Sequence, residues 1–409
     1  VTTKSYRLLV VAAFLPTLLW GAASDTTHVV HKDAETDSTS AIQIEYGDKG
    51  WEFSTKDGKY RLQIQSRLQF RYAYPFDTDP VTFDDFSIGD QHIVKVNRAR
   101  LKIGGNAFAR WLGYYWEYEL AAGNLLDFRI MLEKFPFLRL KVGQWKVEYN
   151  RERVISSGKQ QLADRSLINR PFTIDRQQGV ELYGRFGLST LADFSYWAGV
   201  FMGTGRGAAA NDDEEMMFTG RLQWNVLGRE VPWHGSDLEH HEKPVALISL
   251  GGVTNQSPYT RFSQGGGGQL EGFDQGSPGQ YRVKQYMVET ALMVKGLSWQ
   301  QEFHWKEIND RKNGTITTLI GNYVQIGYFF HYWLQWIPQP LEIAVRYDVY
   351  DPDMRLEGLL QRELSLAGNW FFKDHLNKLT AEFSHINFQE NLGSQRDGWR
   401  FRLQWDVSL

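Results

Sequence analysis

Residues Tyr60–Tyr74 read YRLQIQSRLQFRYAY, and their polarity changes at every step. Tyr60, Leu62, Ile64, Ser66, Leu68, Phe70, Tyr72 and Tyr74 alternate with Arg61, Gln63, Gln65, Arg67, Gln69 and Arg71. Only a strand, whose side chains point to opposite faces in turn, sorts such a run into one greasy and one cationic, amide-rich face. A 3.6-residue helical period would mix the two. The same pattern returns at the end of the chain, where Trp399, Phe401, Leu403, Trp405, Val407 and Leu409 alternate with Arg400, Arg402, Gln404, Asp406 and Ser408. A soluble sandwich could bury the greasy faces in a core. A pattern sustained to the last residue favours a closed barrel with lipid outside and water inside.

Energetics sharpen that choice. An Arg on the lipid face near the bilayer midplane costs about 2–4 kcal/mol, so several such placements exceed a stability margin of about 5–15 kcal/mol. The charged faces must therefore line water or a polar interior. An open sheet in hydrocarbon would strand its edge amides, so the sheet has to close. Further strands carry the alternation: Ala99, Leu101 and Ile103 against Arg98, Arg100 and Lys102, and Tyr114, Trp116, Tyr118 and Leu120 against Glu117 and Glu119. Leu138, Leu140 and Val142 alternate with Arg139 and Lys141, and Leu341, Ile343, Val345, Tyr347 and Val349 with Glu342, Arg346 and Asp348. Asp57-Gly58, between two alternating runs, marks a hairpin. The expected fold is an all-β, transmembrane antiparallel barrel over residues 50–409. At roughly 24 residues per strand with its connection, it has about 16 strands.

Composition removes other classes. No internal apolar run reaches the ~18 residues of a membrane helix. The aromatic content, 14% with 15 Trp and 19 Tyr, suits girdles at two membrane interfaces. The absence of cysteine excludes a disulfide scaffold and thiolate chemistry. Residues 1–23 place Lys4 and Arg7 before the apolar run Leu8–Trp20 and the small residues Gly21, Ala22 and Ala23, the order of a secretory signal. Residues 24–49 form a polar, acidic lead-in expected to lie loose in the periplasm. The formal charge of -3 shows no bulk basic character, so no nucleic-acid partner is expected. No G-x-S-x-G or H-E-x-x-H motif occurs, and neither an enzyme, a cofactor nor a metal is expected. His240 and His241 read as part of a solvated loop.

The stretch Val147–Gly179 is too long for a turn. It holds Arg151, Arg153, Lys159, Arg165, Arg170 and Arg176 against Glu148, Glu152, Asp164 and Asp175, with Val154, Ile155, Leu162, Leu167, Ile168 and Phe172 for packing. Folded into the lumen, it would make a constriction. Joined to the cationic strand faces (Arg61, Arg67, Arg71, Arg98, Arg100, Lys102, Arg139, Lys141), it would give a positive ring of the kind anion pores use. The planar fork of Arg suits phosphate, donating to two oxygens at once. The opposing arrangement pairs these charges across the lumen, since Glu117, Glu119 and Glu133 lie in flanking strands. The later half shows Arg282, Lys284 and Lys295 only scattered. Polar connections are expected at Ala208–Glu215, Trp233–Lys243 and Asn255–Gln280, with long loops on one side of the barrel and short turns on the other.

Several blocks, taken together, resemble the phosphate-selective porin O and P family: DGKYRLQIQSRLQFRY (Asp57–Tyr72), NRARLKIGG (Asn97–Gly105), LRLKVGQWKVEYNRE (Leu138–Glu152), ADRSLINRPF (Ala163–Phe172), DRQQGVELYG (Asp175–Gly184) and AGVFMGTG (Ala198–Gly205). The resemblance implies a 16-stranded outer-membrane barrel, usually a homotrimer, whose third long loop lines an anion channel. It points to Lys146, Arg151, Arg153, Lys159, Arg165 and Arg176 as lining positions. Passive diffusion of small anions, phosphate or polyphosphate among them, is the expected function. A general porin, a barrel enzyme and a carbohydrate-binding β-protein are the alternatives.

Overall fold

The computed structural model describes residues 42–87, 89–263, 267–390 and 394–409. The expected leader and residues 24–41 of the lead-in lie outside the described residues. In chain order the strands are β1 (Ile42–Gly47), β2 (Gly50–Thr55), β3 (Arg61–Tyr74), β4 (Ile93–Asn106), β5 (Leu112–Glu119) and β6 (Asn124–Phe135). They continue as β7 (Leu138–Lys146), β8 (Arg176–Phe186), β9 (Phe194–Phe201), β10 (Met217–Trp224), β11 (Val245–Ser257) and β12 (Tyr281–Val294). The last six are β13 (Leu297–Asp310), β14 (Thr315–Tyr328), β15 (Leu341–Asp351), β16 (Gln361–Lys373), β17 (Asn377–Glu390) and β18 (Ser394–Ser408). From β3 onward each strand pairs antiparallel with the next, and β18 returns to β3 with Phe401 opposite Tyr74 and Ser408 opposite Arg67. The result is a closed barrel of 16 strands with no free edge in its wall.

The alternation of β3 and β18 resolves as the sequence requires. Arg67, Arg71, Arg400 and Arg402 are 1–3% exposed, whereas Phe70, Trp399 and Trp405 are 41–54% exposed on the outer wall. Two outward ladders, Phe70 beside Trp405 and Tyr72 beside Phe401, sit across the closing seam. A bulge at Asn97 of β4, which lies between the partners of Gln69 and Phe70, keeps both faces in phase.

Three expectations are corrected. Residues 42–47 are not loose: β1 pairs with β2, and β2 pairs with Arg61–Ile64 of β3, on the stretch of that edge beyond the Ser66–Leu409 backbone pair where β18 stops. The alternation of Ile42, Ile44 and Tyr46 with Gln43 and Glu45 carries the strand signal. Arg176–Gly179 belong to β8, because Lys146 and Arg176 are opposed in the β7–β8 ladder, so the inward loop spans residues 147–175. Asn255–Ser257 likewise extend β11. The long connections 75–92, 147–175, 202–216 and 258–280 share one end of the barrel. The other end has turns, but also the longer connection 225–244, which enters the lumen: Ser236 and Asp237 are buried, and Gly235 N–H donates to Lys159 O at 2.8 Å.

The lumen is asymmetric. Over β11–β15 it is a true core, in which Tyr149, Leu167, Ile168, Phe172 and Ile174 of the loop meet Val253, Met287, Ile308, Leu319 and Tyr323 of the wall. Each fully buried side chain of this size contributes about 1.5–3 kcal/mol, enough to fix a loop of this length.

Candidate functional site

The loop 147–175 is held by its own backbone. Arg151 N–H donates to Glu289 at 2.8 Å, Glu152 N–H to Glu302 at 2.7 Å, Ala163 N–H to Glu382 at 2.8 Å and Leu167 N–H to Asp348 at 3.3 Å. In return the wall donates to loop carbonyls: Lys306 to Pro171 at 2.8 Å, Gln285 to Phe172 at 2.7 Å, Asn369 to Gln161 at 2.8 Å and Lys378 to Gln160 at 2.5 Å. A loop with only short helical turns, at Arg151–Val154, Ser157–Lys159 and Asn169–Phe172, must place its other backbone polar groups somewhere, and here the inward faces of β12–β17 take many of them. Two glycines of β14 make room. A Cβ at Gly321 would come within 2.5 Å of Phe172 and 2.8 Å of Ile168, and one at Gly327 would overlap the Gln161 amide.

The opposite surface of the loop looks toward β4–β8. Arg165 donates to the loop carbonyls of Glu152 and Ile155 at 3.1 and 2.9 Å, which braces the guanidinium without neutralising it. Burial, reinforced by Arg153 and Arg98, pushes Arg165 below the usual guanidinium range, the mark of a site crowded with like charge. Burial alone would raise Asp164, yet Arg71, Arg98 and Arg402 hold its carboxyl well below the ordinary value. Lys146 lies in the field of Arg165, Arg176, Arg153 and Glu117, and Lys102 in that of Glu117, Arg67, Arg100 and Lys159. Among the described residues, Lys102, Lys146 and Lys159 have no ion pair with a carboxylate, and Arg98 has only Asp164 at 4.0 Å.

The remaining candidates are paired. Arg67 meets Asp406 at 2.6 Å, and Arg71 meets Asp77 and Asp164 at 3.0 and 3.1 Å. Arg100 meets Glu117 and Glu119, Lys141 meets Glu148 and Glu181, Arg153 meets Asp175 at 2.5 Å, and Arg176 meets Asp127 at 2.5 Å. Four positions stand apart from this cluster. Arg61 pairs with Glu52 of β2 beyond the barrel seam, and Arg170 pairs with Glu271 of the connection 258–280. Arg151 is buried against the connection 225–244, donating to Pro232 O and His234 O beneath the Trp233 ring. Arg139 lies beside Tyr183. Arg151 is not with the other cations because its backbone N–H is committed to Glu289 of β12 and its side chain to the carbonyls of the connection 225–244.

Two groups lie outside the residues picked as lining positions, although the alternation already set Arg346, Arg400 and Arg402 on charged faces. Arg206, in the connection 202–216, reaches the cluster: burial and the neighbouring Arg176, Arg153 and Arg100 push it down, against the pull of Asp175. Its turn is pinned by Gly205 N–H to Gln177 and Gly207 N–H to Gln144, at 2.8 and 2.7 Å. In the later half, Arg221, Lys306, Arg346, Lys378, Arg400 and Arg402 all face inward and are buried. Each sits in an alternating strand, and that alternation was the available signal. Arg346 is shared by Asp348, Glu363 and Glu152, and Arg400 by Asp79 and Glu363. Among the described residues no group of three His, Cys, Asp or Glu side chains could hold a metal ion.

The geometry is that of a barrel narrowed by an inward loop, with Lys102, Lys146 and Lys159 lacking carboxylate partners among the described residues. Comparison with solved structures agrees on the fold. An anion-selective porin from Comamonas acidovorans superposes with a TM-score of 0.57 at 10% identity, over 85% of this chain and 99% of that one. The outer membrane channel DcaP of Acinetobacter baumannii gives 0.55 at 11% identity, over 87% and 99%. In-vitro folded OmpT, an outer membrane protein of Vibrio cholerae, gives 0.53 at 10% identity, over 86% and 98%. No curated protein matches the chain. The model of the family described as phosphate-selective porin O and P matches residues 67–391, which takes in all but the ends of the barrel. The chain belongs to the phosphate-selective porin O and P family and is a channel of the bacterial outer membrane, not an enzyme.

Proposed function

We propose that the protein conducts small anions by passive diffusion between the loop 147–175 and the inward faces of β4–β8. The observation that carries this reading is a stripe of weakly paired cations: Lys146 and Arg206 toward the end of the long loops and Lys102 and Lys159 below, without carboxylate ion pairs among the described residues, and Arg98 midway, with only Asp164 at 4.0 Å. Cationic linings of this kind select anions, and a narrow, low-dielectric passage magnifies their field. The Comamonas acidovorans protein of similar fold is an anion-selective porin, which supports the same direction. Phosphate is the solute proposed, polyphosphate included, since ammonium and guanidinium groups strung along one wall can pass an oxyanion from one to the next. The assembly proposed with it is a homotrimer in the lipid of the outer membrane.

The density of ion pairs around Arg67, Arg71, Arg100 and Arg176 favours a second reading, a general porin of weak selectivity. The reversal potential of purified protein in a planar bilayer under a KCl gradient separates the two. Chloride preference with block by added phosphate supports the anion channel. A potential near zero leaves a general porin, and a cation-selective one removes the proposal. Migration of unheated protein on a denaturing gel, compared with the heated chain, tests the trimer.

A further inference from the structure

At the end of the barrel where the chain enters and leaves, a cavity of about 310 Å³ lies between the β1–β2 turn, β3, β4, the tip of the inward loop and the β16–β17 turn. By volume it holds about ten waters, or one small oxyanion with a partial shell. Its wall is cationic. Lys159 has no ion pair with a carboxylate among the described residues, and Lys102 donates only to the Gln65 amide oxygen, at 3.3 Å. Arg67, bonded to Asp406 and Ser157, leaves its Nε buried and without a partner.

His375, in the turn between β16 and β17, completes the cavity. Its ring is wedged between His234 and Phe371, with centroids 5.3 and 5.5 Å away. Both ring nitrogens are buried, and neither has a hydrogen-bond partner. His234 does not supply one, since its Nδ1 is engaged with Ser236 O at 2.8 Å. The charged and titratable groups around His375 are Asp48 and Lys49 of the β1–β2 turn, Arg67, Lys102, Tyr115, Lys159, His234 and Lys378. They are mostly cationic. Burial, with Lys378, His234, Lys159 and Arg67 adding to it, pushes His375 well below the usual imidazole range, so the ring is neutral at pH 7. A neutral imidazole presents one donor and one acceptor.

That pairing of needs is chemically selective. The lysines and Arg67 can only donate, so they call for an anion rich in acceptor oxygens. The acceptor nitrogen of His375 calls for a donor on the same ligand. Sulfate has none at pH 7, whereas hydrogenphosphate carries a P–OH. We propose that this cavity is a second oxyanion subsite, at the exit of the channel, in which His375 favours anions that bear their own acidic hydrogen over those that do not. The proposal rests on the anion-channel reading and adds to it a residue that discriminates among tetrahedral oxyanions. A buried nitrogen left without its partner weakens binding, and the tenfold preference expected corresponds to about 1.4 kcal/mol.

The test uses the full-length protein in planar bilayers at pH 7, with inorganic phosphate, arsenate or sulfate titrated against the chloride current from the side of the β1–β2 turn. Phosphate and arsenate should block about tenfold more tightly than sulfate. His375→Phe should bring the three together, while His375→Gln, which keeps a donor and an acceptor, should retain part of the preference. Heat-modifiable migration and channel insertion establish that each variant is folded. Equal block by all three anions in the wild type, or an undiminished preference in His375→Phe, would overturn the subsite while leaving a chloride-selective reversal potential intact. A cation-selective potential would overturn both readings together.

Discussion

The two walls of this barrel are written in the same alternating code and use it for opposite ends. Along β12–β17 the inward carboxylates Glu289, Glu302, Asp348 and Glu382 accept backbone N–H groups from the loop 147–175. They are anchors. Three of them hold an arginine as well, Arg221 on Glu289, Arg346 on Asp348 and Arg402 on Glu382. Along β4–β8, Glu117, Asp127 and Glu181 meet side-chain cations and take no N–H from the loop, and the cations exceed them locally, leaving Lys102 and Lys146 without carboxylate partners. The difference follows from what faces each wall. An ordered coil brings a row of donors that must be satisfied, and carboxylates accept such donors strongly. On the side proposed to conduct, water in the passage would let a cation stay unpaired at little cost. In that proposal, seating the loop is what leaves the cations of the other side open.

Unseating the loop should produce the largest change. Gly321→Val together with Gly327→Val fills the space taken by Phe172, Ile168 and Gln161. The expected result is a loop displaced into the passage or out of the barrel, with a severalfold change in single-channel conductance and a noisier open state. Wild-type conductance in the double variant would mean that the loop does not set the constriction. Next in size is the reversal of charge on the open side. Lys146→Glu with Arg206→Glu should move the reversal potential strongly toward cations, whereas Lys306→Gln, on the anchoring wall, should leave ion preference unchanged. Equal shifts from both would erase the distinction between the walls. A smaller effect is expected from Glu302→Ala, which leaves the Asn150 amide and the Glu152 N–H unpaired in a buried site. At about 1–3 kcal/mol for each stranded group, the temperature at which unheated migration is lost should fall by several degrees. Ion preference should stay as in the wild type.

The barrel was open to view in the sequence because period-two alternation is a local property, visible within any one strand. Arg67 and Phe70, or Arg402 and Leu403, declare their sides without reference to a partner. The loop was legible in part: its length and its Leu167, Ile168 and Phe172 marked it for burial. Which cations remain free was not legible, because it depends on cross-strand neighbours. Arg100 is neutralised by Glu117 and Glu119 of β5, and Lys102, two residues along the same face, is not. Arg151 and Arg165 look alike in sequence; with the backbone N–H of Arg151 committed to Glu289, its side chain meets the connection 225–244. The hairpin of β1 and β2 was missed for another reason: a six-residue alternation after a polar stretch is too short to stand out.

The connection 75–92 offers the finest test of the two-wall picture, because it docks on the paired side. Its Asp77 meets Arg71 at 3.0 Å, Arg402 at 3.2 Å and Lys95. Burial would raise the Asp77 carboxyl, but Arg71 and Arg402, with Lys95, hold it down at about 2 against an ordinary 3.8. A carboxyl lowered in the folded state contributes stability that is full above its unfolded value and is lost as the pH falls through the folded one. Docking of this connection should therefore hold at pH 5 and weaken from about pH 4 to about pH 2. Asp77→Asn should bring much of the same release at pH 7, read as faster proteolysis within residues 75–92 and more flicker in the current, with ion preference barely altered. The effect is kept small because Asp79 still pairs with Arg400 and Arg402 at 2.5 and 3.2 Å. If Asp77→Asn instead shifted the reversal potential as far as the Lys146 and Arg206 reversals do, the arginines around Arg71 would belong to the conducting side, and the division between anchoring and conducting walls would have to move with them.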